Sequence, residues 1–171
     1  MNPNILKCCV FNSQSIVNKL LELQYLLYTS AYDCILITES WLKPDITDGV
    51  LDPKGLYHIF RKDRAGLLGG GVCIFVRRGF SVVSIVIDDK FSDLEIIGVT
   101  LSNFYPKLQL FAIYRPPYYD CGALQDMKQL VDCLTQCTSN ACIHIIAGDF
   151  NLPRIIGILS CVAMMQFIVC S

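Results

Sequence analysis

The chain has 171 residues, 53% hydrophobic and 17% charged, which suits one domain with a sizeable core and excludes a disordered arm. A formal net charge of −1 excludes contact with nucleic acid or an anionic membrane through bulk charge, so any such role has to rest on local patches. The ten cysteines include no CxxC pair, and no charged-then-apolar leader precedes them; they read as reduced thiols of an intracellular, non-secreted protein rather than as zinc ligands or disulfides.

Lys7 to Phe11 reads as a short apolar strand ending at Asn12. Ser13-Gln14-Ser15 then opens a helix, with Ser13 or Ser15 as N-cap and Ile16, Leu20, Leu23 and Leu27 as the buried stripe. Cys34 to Thr38 is a second apolar strand, closed by Glu39. The turn-rich passage through Lys43-Pro44-Asp45 and Asp52-Pro53-Lys54-Gly55 is taken as loop. His58–Arg61, Val72–Val76 and Phe80–Ile87 read as an antiparallel meander. Gly69-Gly70-Gly71 lacks the following Lys-Ser/Thr of a phosphate-cradling loop and precedes a strand, so a tight hairpin is expected there. Leu94–Leu101 and Leu108–Tyr114 form a further pair, and Pro116-Pro117 forbids continuation of the ladder. Gly122 to Cys137 is an amphipathic helix with Leu124, Met127, Val131 and Leu134 on one face. Ser139-Asn140 closes that helix, and a buried strand runs from Cys142 into Gly148-Asp149-Phe150-Asn151. His144, inside that strand, is expected to be a satisfied core histidine. Strand-helix-strand, a run of strands, then helix-strand is the pattern of an α/β protein.

Four strands thus end in polar groups: Asn12, Glu39, Tyr114 with Arg115, and Asp149 with Asn151. Each alone is more often structural than functional. Together, carboxylates and carboxamides at one sheet edge suit a hard cation such as Mg²⁺, which takes oxygen ligands and can polarise a phosphoryl oxygen. Arg61, Lys62, Arg64, Arg77 and Arg78 make a basic cluster around Asp63, which by itself reads as a solvated rim.

Five ordered blocks carry a resemblance: Phe11 to Lys19, Ile37-Thr38-Glu39-Ser40-Trp41-Leu42, Arg61-Lys62-Asp63-Arg64 with the triple glycine, Tyr114-Arg115-Pro116-Pro117, and Gly148 to Pro153. They resemble the endonuclease/exonuclease/phosphatase family, most of all the apurinic-type endonuclease domain of non-LTR (LINE-type) retrotransposons. The resemblance implies a DNase I-like four-layer α/β/β/α sandwich and phosphodiester cleavage dependent on Mg²⁺, with Mn²⁺ as substitute. It implies Glu39 as metal ligand with Asn12 beside it, Tyr114 on the scissile phosphate, Asp149 on the attacking water and Asn151 on the phosphoryl oxygens. DNA is the implied partner, with Arg61, Lys62, Arg64, Arg77, Arg78 and Arg115 against its backbone.

The family adds a further Asp and an Asp-His pair beyond this point, whereas Ile155 to Ser171 contains no Asp, Glu or His. Residues 1–154 therefore read as the N-terminal portion of such a domain, making the sandwich incomplete, and 155–171 as a divergent apolar tail left by truncation. That tail is shorter than the roughly 20 residues a membrane span needs, so no membrane role is expected. The expected activity is weak or absent, since such groups act as a unit. Two alternatives stand beside this reading: a non-catalytic nucleic-acid-binding remnant, and a phosphoesterase of the same fold acting on another phosphate ester.

Overall fold

The run Cys34–Thr38 is buried at every position, so both faces of this strand need a cover. The computed structural model, which describes residues 5–116, 123–138 and 141–151, shows both covers. In chain order the elements are β1 (Cys8–Asn12), a 3-10 turn (Val17–Lys19), α1 (Leu20–Thr29), β2 (Cys34–Thr38), α2 (Asp48–Leu51), β3 (Tyr57–Lys62) and β4 (Val72–Arg77). Then come β5 (Val82–Ser84), a second 3-10 turn (Asp89–Phe91), β6 (Glu95–Leu101), β7 (Lys107–Tyr114), α3 (Ala123–Cys137) and β8 (Cys142–Asp149). They form two four-stranded sheets, ordered β1-β2-β4-β3 and β5-β6-β7-β8.

Strand alternation sorts the core into three layers. Leu36, Val72, Ile74 and Val76 face Val99, Leu101, Leu110 and Ala112 between the sheets. The neighbouring residues Ile35, Ile37, Cys73 and Phe75 point the other way, onto Leu23 and Leu27 of α1. On the far side Ile96, Phe111 and Ile113 meet Leu130 and Cys133 of α3. The result is a four-layer α/β/β/α arrangement. Cys34, Cys73 and Cys133 are buried in these layers as small hydrophobes, and no disulfide joins the described cysteines.

Two parallel pairs decide where the site forms. β1 pairs with β2 with Asn12 opposite Thr38, and β7 pairs with β8 with Tyr114 opposite Asp149. Parallel neighbours need a crossover, and α1 and α3 supply one each. Both pairs therefore deliver their C-terminal ends to one edge of the sandwich, where β1 and β2 pack against β8 and β7.

Several sequence expectations are corrected. No side chain caps the first helix: Ser13 and Ser15 lie in the loop before it, and Ser13 Oγ instead donates to Glu39 O at 2.8 Å. The three-strand meander does not exist, because β5 joins the second sheet and pairs with β6 while β3 and β4 stay in the first. A four-residue helix, Asp48–Leu51, interrupts the expected loop. The triple glycine belongs to a longer connection over residues 63–71 rather than to a tight hairpin. Val131 is 52% exposed and off the buried face of α3, which carries Leu130 and Cys133; Leu124 and Met127 lie outside the described side chains. His144 is half-buried, and its Nε2 lacks a hydrogen-bond partner among the described residues. Pro117, Ser139-Asn140, Pro153 and the 155–171 tail also fall outside the described residues.

Candidate active site

Asn12 is the hinge of the site. Its Nδ2 donates to Glu39 Oε1 at 2.7 Å and to Asp149 Oδ2 at 3.0 Å, so one amide ties a carboxylate from each sheet. Its Oδ1 accepts from the Gln14 backbone N–H at 3.0 Å, which fixes the orientation of the carboxamide. Asp149 Oδ1 accepts the Asn151 N–H at 3.1 Å. The Asn151 side chain donates to Arg115 O at 2.7 Å, and Arg115 Nη1 returns a bond to Asn151 O at 3.1 Å. Tyr114 is buried on the inter-sheet face, as its strand parity requires, with its hydroxyl directed at Glu39.

The backbone here is held in an uncommon conformation. Every described non-glycine residue with positive φ borders this edge: Gln14 (45°), Ser15 (86°), Glu39 (50°), Trp41 (54°) and Asn151 (44°). Each such residue costs of order 1 kcal/mol and persists only where surrounding bonds over-determine it. Those bonds are present: Ser13 N to Thr38 O, Ser15 N to Glu39 O and Ile16 N to Ser40 O lace the first loop to the second, at 2.9, 3.0 and 2.9 Å. Trp41 N donates to Gly70 O at 2.9 Å, tying in the glycine loop.

Electrostatics follow from the packing. Tyr114 has its hydroxyl pKa pushed up to about 12, chiefly by burial, then by the Glu39 charge and the bond it donates there; Asp149 adds to this and Arg64 opposes it. The phenol is therefore a neutral donor throughout the physiological range. Folded Tyr114 keeps a proton that the unfolded chain surrenders near 10, so its contribution to stability is complete below that pH and is lost as pH rises through about 12. Tyr114→Phe is expected to flatten the fall in melting temperature between those two values. A mutant curve parallel to the unaltered one would contradict the assigned environment.

The structure brings Asn12, Glu39, Tyr114, Asp149 and Asn151 to one edge. It does not gather the basic residues into one open face. Arg61 binds Asp63, Ile46 O and Lys43 O. Lys62, its neighbour on β3, points to the opposite side and donates to Ser92 O and Leu94 O, both at 2.6 Å. Arg64 pairs with Glu95, and Arg77 binds Ser30 O, Tyr32 O and the Tyr57 hydroxyl. Arg115 is buried; Arg78 is exposed. Sequence reasoning missed Glu95 and Ser13. A carboxylate opening an otherwise apolar strand was the available signal for Glu95; Ser13 had none beyond its neighbour Asn12.

A Mg²⁺-type ion fits this donor set. Glu39 keeps one carboxylate oxygen uncommitted by the described hydrogen bonds, and an ion that retains several waters needs only one or two protein carboxylates. No group of three or more His, Cys, Asp or Glu that could hold a metal ion occurs among the described residues. No described helix is long and apolar enough to cross a membrane.

The endonuclease/exonuclease/phosphatase family pattern matches residues 9–155. No curated protein matches the chain. Among solved structures, the 3′ phosphatase NExo from Neisseria, bound to a product DNA hairpin, is similar with TM-score 0.66 and 18% identity over 86% of this chain and 58% of that one. An AP endonuclease from Archaeoglobus fulgidus gives 0.65 and 18%, again over 86% and 58%. The endonuclease domain of TRAS1, a telomere-specific non-LTR retrotransposon, gives 0.60 and 17% over 85% and 60%. The chain thus spans about three-fifths of the length of these structures, and at such identities the likeness is one of fold.

Proposed function

The chain belongs to the endonuclease/exonuclease/phosphatase family, and from that premise we propose that its Asn12–Glu39–Asp149 edge is the phosphate-handling site of a divalent-cation-dependent DNA endonuclease of the retrotransposon type. The observation that carries the reading is the single Asn12 amide joining Glu39 and Asp149 across the two sheets. DNA as substrate is supported by the similarity to a phosphatase bound to a DNA hairpin and to a retrotransposon endonuclease domain.

Mg²⁺ or Mn²⁺ held at Glu39 would supply charge to neutralise a phosphoryl oxygen. Tyr114, kept protonated, would turn its one hydroxyl proton from Glu39 to the phosphate. Asp149 accepts the proton of the attacking water, and Asn12 holds the two carboxylates in register so that neither drifts from its task. Asn151 has one amide proton committed to Arg115 O and a second left for a phosphoryl oxygen.

The full chain at low salt is expected to bind duplex DNA more tightly with Mg²⁺ than with EDTA and to nick supercoiled plasmid slowly. A gel shift and a plasmid-relaxation assay check both. Absence of binding at low salt removes the proposal; fast nicking removes only the expectation of slow turnover. A non-catalytic binding face over Arg61–Arg78 has less support, because Arg61, Lys62, Arg64 and Arg77 spend their donors inside the chain.

A further inference from the structure

The segment between β3 and β4 runs beside the site and is bound to a buried acid. Arg64 Nε donates to Glu95 Oε1 at 2.5 Å, Arg64 Nη2 pairs with the same oxygen, and the Gly71 backbone N–H donates to Glu95 Oε2. Both side chains are largely buried, at 16% and 9% exposure. Glu95 lies opposite Tyr114 in the β6–β7 register, and the Arg64 guanidinium carbon sits 5.4 Å from the centre of the Tyr114 ring. That distance is within reach of a cation–π contact.

The glycines make this possible. A Cβ on Gly70 would fall 2.2 Å from Arg64 Cζ, so any side chain there displaces the guanidinium. Gly69 has similar backbone, φ +80° against +70°, yet its Cβ would meet only the Trp41 ring at 3.4 Å and beyond. Arg64 itself is a poor phosphate anchor: its charge is matched by Glu95, its Nε–H is already donated there, and its Nη2 is buried away from solvent. A buried ion pair is also weak evidence of a purely stabilising role.

We propose that Glu95 and Gly70 hold Arg64 over the Tyr114 ring as a positioning residue, which fixes the plane of that ring and aims its hydroxyl at a phosphodiester seated by Glu39. This rests on the reading of Tyr114 as a phosphate contact. The triple glycine, in this light, is a passage for a guanidinium rather than a nucleotide cradle. Lysine cannot replace Arg64, since it offers a point charge without the planar guanidinium that lies over the Tyr114 ring.

The test measures the affinity of the full chain for a fluorescein-labelled DNA duplex at low salt with Ca²⁺, by anisotropy. Tyr114→Phe, Arg64→Met and Gly70→Ala are each expected to weaken binding by about tenfold. The Arg64→Met/Tyr114→Phe pair is expected to lose no more than either single change, because both remove one contact. Gly69→Ala carries comparable backbone strain and is expected to stay within about twofold. Multiplicative losses in the double variant, or Gly70→Ala binding like Gly69→Ala, would overturn the inference. Should Arg64→Met not fold, the two glycine variants decide alone. Tyr114→Phe without effect would remove the underlying site reading, whereas Tyr114→Phe weakening binding while Arg64→Met and Gly70→Ala do not would defeat this inference only.

Discussion

Glu39→Ala is expected to abolish the Mg²⁺ dependence of DNA binding and to lower any nicking by about two to three orders of magnitude. The size of the effect follows from the donor set. Glu39 accepts from Asn12 on one carboxylate oxygen, leaves the other uncommitted by the described bonds, and faces the Tyr114 hydroxyl. Under the proposed function, its loss would remove the seat for the cation and a group that faces the phenol. Stability should not fall in step. Glu39 sits at φ 50°, a conformation strained for any residue with a Cβ, and its carboxylate faces that of Asp149 across one amide. Glu39→Gly, which relieves the backbone, is expected to be inert toward DNA hydrolysis yet more stable by up to about 1 kcal/mol. Plasmid nicking and thermal melting on the same preparations check both halves. Undiminished Mg²⁺-dependent nicking by Glu39→Ala would mean that the cation is held elsewhere.

The second large effect is structural. Gly148→Ala is expected to destabilise the fold by more than about 3 kcal/mol, enough to leave a marginal domain largely unfolded. A Cβ at this position would lie 1.8 Å from the carbonyl oxygen of Ile113, its register partner across the β7–β8 pair. Neither atom is the end of a flexible side chain, so relief requires the two strands to part. Parting them withdraws Asp149 from Tyr114 and breaks the Arg115 N to Asp149 O bond at 2.8 Å that closes the ladder. Gly79→Ala is the control, because its φ of +115° is equally unsuited to alanine while its Cβ would meet nothing within 4 Å. That change should cost only about 1 kcal/mol. Denaturant unfolding of the two variants separates close approach from backbone strain; equal losses would show that the approach is looser than the structure has it.

Most strands were legible because burial writes itself into an apolar run. Cys34–Thr38 and the start of β8 at Cys142 were placed correctly from composition alone. Phe80–Ile87 failed because apolar content was read as a strand of the first sheet, whereas only Val82–Ser84 pairs, and with β6 of the second. Val131 failed for a related reason: helical spacing names a face but not its limits, and Leu130 and Cys133 took the buried one. Arg61 and Lys62 are neighbours on β3 and strand alternation sends their charges to opposite sides, while Arg77 pairs with Tyr57 at the other end of the β3–β4 ladder and is bound by acceptors there.

Local sequence marks which residues can do chemistry: polar groups set at the ends of apolar strands, in an order that carries the family resemblance. That information is local, written in runs of a few residues, and it survives without knowledge of the fold. It takes the packing of the two sheets to join Glu39 to Asp149 through Asn12 and to set Arg64, paired with Glu95, over Tyr114. These contacts depend on strand parity, on parallel register across two crossovers and on where glycines let backbone or guanidinium pass. None of those is a property of any single segment, because each arises only when two sheets meet face to face.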